Sequence, residues 1–376
     1  MQLGKEESPE HVQTSTAGAI ALGLQDGSFY RGASLHCLNL LLTYADGCKA
    51  NCAFCGLGRG RKHSGLNQGK TFIRVDWPVF ETRKIVKLLK SSSSDVIKRV
   101  CISMVTHKNA PSDTITMVNH LLETDKLISV LVAPTIIDRQ FLQELRDAGV
   151  DKVGVAMDAA TPELFEKFRG KAVKGPHSWS TYWNIFKESM EILGPGNTGV
   201  HMIVGLGETE KQMIDKMQEI HNLGSDTHLF SFFPEAGSLL EKNPQPGIGT
   251  YRRIQLAREA MHLGLTTAGQ MKFNEKEQVV DFNLTTAQFD ELISDGRAFQ
   301  TQGCTDNEGI MVCNRPYSNC TPFQASKGEL RNFPFKPASD DLALIRRQLG
   351  DYNPDSWIRT LEKADDFLLD EQANII

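Results

Sequence analysis

No apolar run in the sequence approaches the roughly 18 residues that a membrane-spanning helix needs, so no membrane span is expected. The chain does not open with a basic stretch followed by an apolar segment, which leaves no export signal and points to a cytoplasmic protein. Positive charge is not in excess: 41 Lys and Arg stand against 46 Asp and Glu, a net charge of −5, which argues against a nucleic-acid partner. There is no short-period repeat and no long low-complexity linker. His11, His36, His107, His201 and His228 share no spacing and receive no role. What is present is 40% hydrophobic and 23% charged over 376 residues. That is enough to bury a sizeable core and to exclude wholesale disorder.

The eight cysteines do not look like a disulfide scaffold. Cys37 and Cys101 lie in apolar runs (35–43 and 100–105), where a buried small thiol is expected. The other six form two groups. Cys48, Cys52 and Cys55 make a C-x3-C-x2-C in a tight loop. Cys304, Cys313 and Cys320 make a looser C-x8-C-x6-C on a loop bearing Gly, Asn and Pro. Three thiolates so close together suit a soft metal. A structural zinc would want a fourth ligand, for which His63 is nearest. An iron–sulfur cluster held by three cysteines would instead leave one iron open to an outside ligand.

Strand and helix patterns alternate along the chain. Strands are expected at 38–44, 99–105, 128–135, 152–157, 199–204 and 228–233, with weaker ones at 266–272 and 298–301. Helices are expected at 78–89, 113–124, 138–148, from Pro162, and at 178–193, 210–223, 250–264 and 286–293. Nearly eight alternations with few hairpin signals predict an α/β fold of the TIM-type (β/α) barrel kind, with an open doubly wound sheet as the alternative. Residues 1–37 read as a short N-terminal extension and 38–303 as the barrel. Residues 304–376 read as an auxiliary-cluster loop plus C-terminal helices at 340–349 and 354–369. In a closed barrel the loops after the first and eighth strands are neighbours, so both cysteine groups would open onto one mouth.

Cys48, Cys52 and Cys55, with Phe54 before the third cysteine and Gly56 after it, resemble the cluster loop of radical S-adenosylmethionine enzymes. The resemblance implies a [4Fe–4S] cluster whose open iron is chelated by S-adenosylmethionine, and cleavage of that cofactor to a 5′-deoxyadenosyl radical. It also implies cofactor contacts. Gly205 and Glu208, in Val200-His-Met-Ile-Val-Gly-Leu-Gly-Glu208, match the adenine-contacting fifth-strand segment, and Asp158 matches a ribose-binding position. The family's Gly-Gly-Glu after the second strand is replaced by Ser103-Met-Val-Thr106, so Ser103 or Thr106 takes the methionine amino contact.

Residues 38–319 resemble the biotin-synthase-like branch, and the tail around Cys304, Cys313 and Cys320 is most similar to subunits of two-component, archaeal and anaerobe-type lipoyl synthases. That likeness implies a sulfurtransferase with a second, sacrificial cluster as sulfur donor. Arg315 and Ser318 are then candidates for its fourth ligand. It further implies an octanoylated carrier protein or lipoyl domain as substrate, a second synthase subunit, and a ferredoxin- or flavodoxin-type electron donor. Other radical enzymes of the branch, mutases or cofactor maturases, are the alternative. Arg59, Arg61, Lys62 and His63 form either a docking rim for an acidic carrier or a solvated charge run. Trp179, Tyr182 and Trp183 share a helix face that suits core packing, while Phe232 and Phe233 end a strand where they can line an alkyl channel.

Overall fold

The computed structural model describes residues 6–59, 61, 71–72, 75–91, 94–314 and 330–353. Six parallel strands form its centre: β2 (Cys37–Leu41), β4 (Arg99–Ser103), β5 (Leu127–Val132), β6 (Lys152–Asp158), β7 (Thr198–Val204) and β8 (Asp226–Ser231). They hydrogen-bond in sequence order, each to the next. Beyond β2 the sheet continues antiparallel through β1 (His11–Thr14) to β3 (Val79–Glu81). This mostly parallel sheet of eight strands is the α/β, TIM-type (β/α) architecture that the alternation implies. Part of the N-terminal stretch thus joins the sheet, covering what would otherwise be an open edge of β2.

Helices return the chain between strands: α2 (Thr82–Leu89), α3 (Ala110–Leu121), α4 (Arg139–Asp147), α5 (Pro162–Phe168), α6 (Trp179–Leu193) and α7 (Glu210–Asn222). Their starts follow capping chemistry. Phe141 N–H donates to Asp138 Oδ1 at 3.0 Å, and Thr209 with Gln212 closes a reciprocal capping box on α7. Central strands are covered on both faces, so every position of β2 and β4 is buried, the polar Asn39, Arg99 and Ser103 included.

The two weak strand expectations at 266–272 and 298–301 are not met by further parallel strands. After α8 (Ile248–His262) the chain makes a small antiparallel pair, Lys272–Phe273 with Val279–Asp281, closed by Asn274 Oδ1 accepting from the Lys276 and Gln278 N–H groups. Arg297–Phe299 is a single 3₁₀ turn. The cause is packing. Helix α8 is sandwiched: Leu256 and Ala260 join Leu292, Phe299, Phe333 and Ile345 in a second apolar cluster. Residues beyond α8 therefore build an outer layer, ending in α9 (Thr286–Asp295) and α10 (Ser339–Leu349). The expected helix at 354–369 lies outside the described residues. No helix among the described residues is long and apolar enough to cross a membrane.

Candidate metal centre

The loop that follows β2 carries Cys48, Cys52 and Cys55, all free thiols. Gly47, at φ +65°, starts the turn. Backbone bonds then pin the loop to its surroundings: Lys49 N–H to Thr106 O at 2.7 Å, Ala53 N–H to Phe168 O at 2.7 Å, and Arg59 N–H to Ala50 O at 2.7 Å. Arg61 Nη2 donates to Cys52 O at 2.8 Å, so this arginine folds back onto the loop instead of standing in the expected basic rim. Arg59 is exposed; Lys62 and His63 lie outside the described residues.

The three thiols border a cavity of about 210 Å³ at the C-terminal ends of the strands. Phe54, Ser103, Thr106 and Asp158 line the same cavity, so four of the expected cofactor contacts meet the cysteines there. Gly205 and Glu208, also expected to contact the cofactor, do not line it. Gly205 N–H and Leu206 N–H donate to the Glu208 carboxylate at 2.6 and 2.9 Å, making a closed turn after β7. At Gly205 (φ +108°) a Cβ would sit 2.6 Å from the Pro246 ring, so packing alone requires the glycine. Burial pushes the Glu208 carboxyl up to about 7 against its backbone donors. Of that strand, His201 and Ile203 line the cavity.

Asp158 ends β6 in the left-handed region, φ +64°, where the register with β7 slips. Its carboxylate pairs with Arg169 at 2.9 Å, and both side chains are nearly solvent-free. Arg169 also donates to Tyr182 Oη at 2.9 Å and to the Ala156 carbonyl, and it hydrogen-bonds Cys52. Burial raises the Cys52 thiol's pKa and the Arg169 charge works against it. Tyr182 Oη meets His177 Nδ1 at 3.2 Å, and Thr135 Oγ1 meets the same nitrogen at 2.6 Å. Burial, with Arg169 nearby, holds the His177 imidazole down to about 3, so it is neutral at physiological pH. Arg169 and His177 carry no motif and are not legible in the sequence. Tyr182 belongs to the aromatic stripe: Trp179 and Trp183 pack edge-on as core, while the tyrosine hydroxyl reaches the cavity wall.

The thiol spacing bears on what they hold. A tetrahedral zinc ion with Zn–S bonds near 2.3 Å brings its sulfurs to about 3.8 Å of one another. Among the described residues the only three potential ligands that gather within 4.8 Å are His221, Asp226 and His262, on the outer surface. The Cys48, Cys52 and Cys55 thiols do not all lie within 4.8 Å of one another.

Cys304 and Cys313 do not line this cavity. Together with Cys101 they line a separate small one, deeper between the strands. The expectation that both cysteine groups share one mouth is therefore not met, because no eighth strand delivers the second group to the strand tops. Cys320, Arg315 and Ser318 lie outside the described residues.

Residues 42–220 match the sequence profile of the Radical SAM superfamily. The comparison with curated proteins found no match. Among solved structures the chain is similar to methylornithine synthase (PylB), at 15% identity over 66% of this chain and 67% of that one, TM-score 0.46. It is also similar to HydG, a maturase of the [FeFe]-hydrogenase, at 13% identity over 65% and 57%, TM-score 0.47. A third is coproporphyrinogen III oxidase (HemN) from Escherichia coli, a radical SAM enzyme, at 14% identity over 77% and 65%, TM-score 0.40. The chain spans from a little over half to two thirds of the length of these proteins, and likenesses this distant say nothing of its reaction. The profile match begins just after β2 and covers the cluster loop, β3 through β7 and most of α7, and likeness to that superfamily points to a [4Fe–4S] cluster and S-adenosylmethionine as the groups the loop would hold.

Proposed function

We propose that the protein is a radical S-adenosylmethionine sulfur-insertion enzyme, one component of a two-part lipoyl synthase acting on an octanoyl chain presented by a carrier protein or lipoyl domain. The observation that carries this reading is vertical. One sulfur-rich group, Cys48, Cys52 and Cys55, stands at the barrel mouth, and another, Cys304 and Cys313, stands below it. Leu131, His201 and Phe230 line both cavities, so one layer of side chains separates the two groups. An enzyme that only generates a radical has no use for the lower group; one that adds sulfur does.

Cys48, Cys52 and Cys55 would hold the radical-generating cluster. When bound, it supplies the electron that splits S-adenosylmethionine into methionine and a 5′-deoxyadenosyl radical. The chain's own residues do the rest. Leu57 N–H donates to Cys55 Sγ at 3.4 Å, orienting that thiol and drawing charge from it. Ser103, Thr106 and Asp158 offer polar contacts to a charged cofactor, with Arg169 fixing the Asp158 carboxylate. Ile203, Phe230, Phe232 and Phe233 give an apolar wall that excludes water and suits an alkyl chain, which has nothing but apolar surface to offer.

The test is an anaerobic incubation of the protein with its partner subunit, S-adenosylmethionine, a reductant and an octanoyl-lysine peptide, read by mass. A peptide heavier by sulfur supports the reading. Formation of 5′-deoxyadenosine with no thiolated peptide points to a mutase or cofactor maturase of the same branch and overturns it.

A further inference from the structure

Four cysteines, not two, meet beneath the cavity. Inward-facing positions alternate along each strand, and in register Cys37 lies beside Arg99, Asn39 beside Cys101, and Cys101 beside Ser129. The loop bearing Cys304 and Cys313 is fastened under these strands. Val312 N–H and Cys313 N–H both donate to Cys304 O, at 3.1 and 3.2 Å, and Arg99 Nη2 donates to Thr305 O at 2.8 Å. Asn314 ties the loop's end to the residues before β2, accepting from His36 N–H at 3.2 Å and donating to Ser34 O at 2.6 Å. Gly303 permits the close approach, since a Cβ there would sit 2.4 Å from Cys313 Cβ. The result is that Cys101, Cys304 and Cys313 line one small cavity with Ser129, and the Cys37 side chain hydrogen-bonds Cys313.

The surroundings are those of a ligand site and not of four inert core thiols. Asn39 Nδ2 and Ser129 Oγ, the neighbours of Cys101 on either side, are buried without a hydrogen-bond partner. Buried polar atoms are rarely left so unless something absent satisfies them. Both are of the kind that donates to cluster sulfur. Arg99, fully buried and paired with Asp151 at 2.6 Å, adds a fixed positive charge near Cys37 and Cys304.

We propose that Cys37, Cys101, Cys304 and Cys313 together ligate a second iron–sulfur cluster, inside the barrel and below the radical cavity. The site deepens the sulfur-insertion reading and rests on it only for what the cluster is used for. It needs neither Cys320 nor Arg315 nor Ser318 as a ligand.

The test uses full-length protein prepared without oxygen and counts iron and acid-labile sulfide. A variant with Cys48, Cys52 and Cys55 all changed to alanine is expected to keep a cluster. Adding Cys37→Ser or Cys101→Ser to it removes the remaining iron, while adding Cys320→Ala leaves it. Retention of that iron in both serine variants, its absence from the triple variant, or zinc in its place overturns the proposal. Because serine variants can misfold, anomalous diffraction at the iron edge from wild-type crystals supplies a second measurement: density bounded by the four sulfurs supports the site, and iron only at the mouth refutes it. An intact second cluster with no thiolated product would sink the sulfur-insertion reading while leaving the site standing.

Discussion

Asp158 and Arg169 face each other at 2.9 Å inside the barrel, with the aspartate held at φ +64° and the arginine reaching on to Cys52 and Tyr182. One guanidinium thereby links the end of β6, the cluster loop and α6. Removing one partner of a buried pair leaves the other charge uncompensated, at a cost of about 3–5 kcal/mol. Arg169→Met is expected to lose stability on that scale in urea unfolding of the metal-free protein, and to weaken S-adenosylmethionine binding. An unfolding midpoint equal to that of the wild type would show that the pair does not hold the site.

The turn after β7 should tolerate no side chain at its first residue. Gly205→Ala meets both a positive φ and the Pro246 ring, and is expected to cost on the order of 1–3 kcal/mol. Thermal unfolding of the variant checks this. Gly207→Ala is the control: its φ is also positive, +111°, but a Cβ would meet nothing nearer than 3.7 Å, so it should cost less.

Glu208 gives the fold a pH dependence of known sign. Its carboxyl is raised to about 7 from an ordinary 4.5, so the folded state holds a proton that the unfolded state releases. The stabilisation is fully present below about 4.5 and is lost as pH rises to about 7. The carboxylate is half-buried, which keeps the effect on the order of 1 kcal/mol. Urea unfolding of the wild type and of Glu208→Gln, whose neutral amide mimics the protonated carboxyl, should agree at the acid end and diverge as pH rises to about 7, the wild type losing stability that the variant keeps; parallel curves would contradict the shift.

At the outer surface, His262 Nδ1 and Asp226 Oδ1 are 3.0 Å apart. The hydrogen bond to Asp226 raises the imidazole's pKa, so this pairing stabilises below the ordinary histidine range and fades as pH rises through the shifted value. An NMR titration should find His262 above its ordinary 6.5, and Asp226→Asn should bring it down. No change on substitution would rule out the pairing in solution.

Much of this was legible in the sequence because local chemistry dominates there. Six parallel strands follow from apolar runs between capped helices, and Asp138 caps α4 as its position implies. The Cys48–Cys55 spacing marks its own loop. What the sequence hides is long-range. Residues 266–301 keep an alternating pattern, yet α8 is already buried on both sides, so they join an outer layer. Arg169 and His177 become cavity residues only through the packing of α5 and α6 against β6. Cys37 and Cys101, read as inert core thiols, stand beside Cys304 and Cys313 because a distant loop crosses beneath β2 and β4. Nothing local to either cysteine signals that.

The account depends first on three thiols at the mouth holding a cluster with one open iron. Electron paramagnetic resonance of the reduced, air-free protein, before and after S-adenosylmethionine is added, tests this most directly. A [4Fe–4S] signal that changes on addition, is lost in the Cys48/Cys52/Cys55→Ala variant, and is accompanied by 5′-deoxyadenosine is the expected result. A cluster signal indifferent to S-adenosylmethionine, or one that responds to it without those three cysteines, would contradict it.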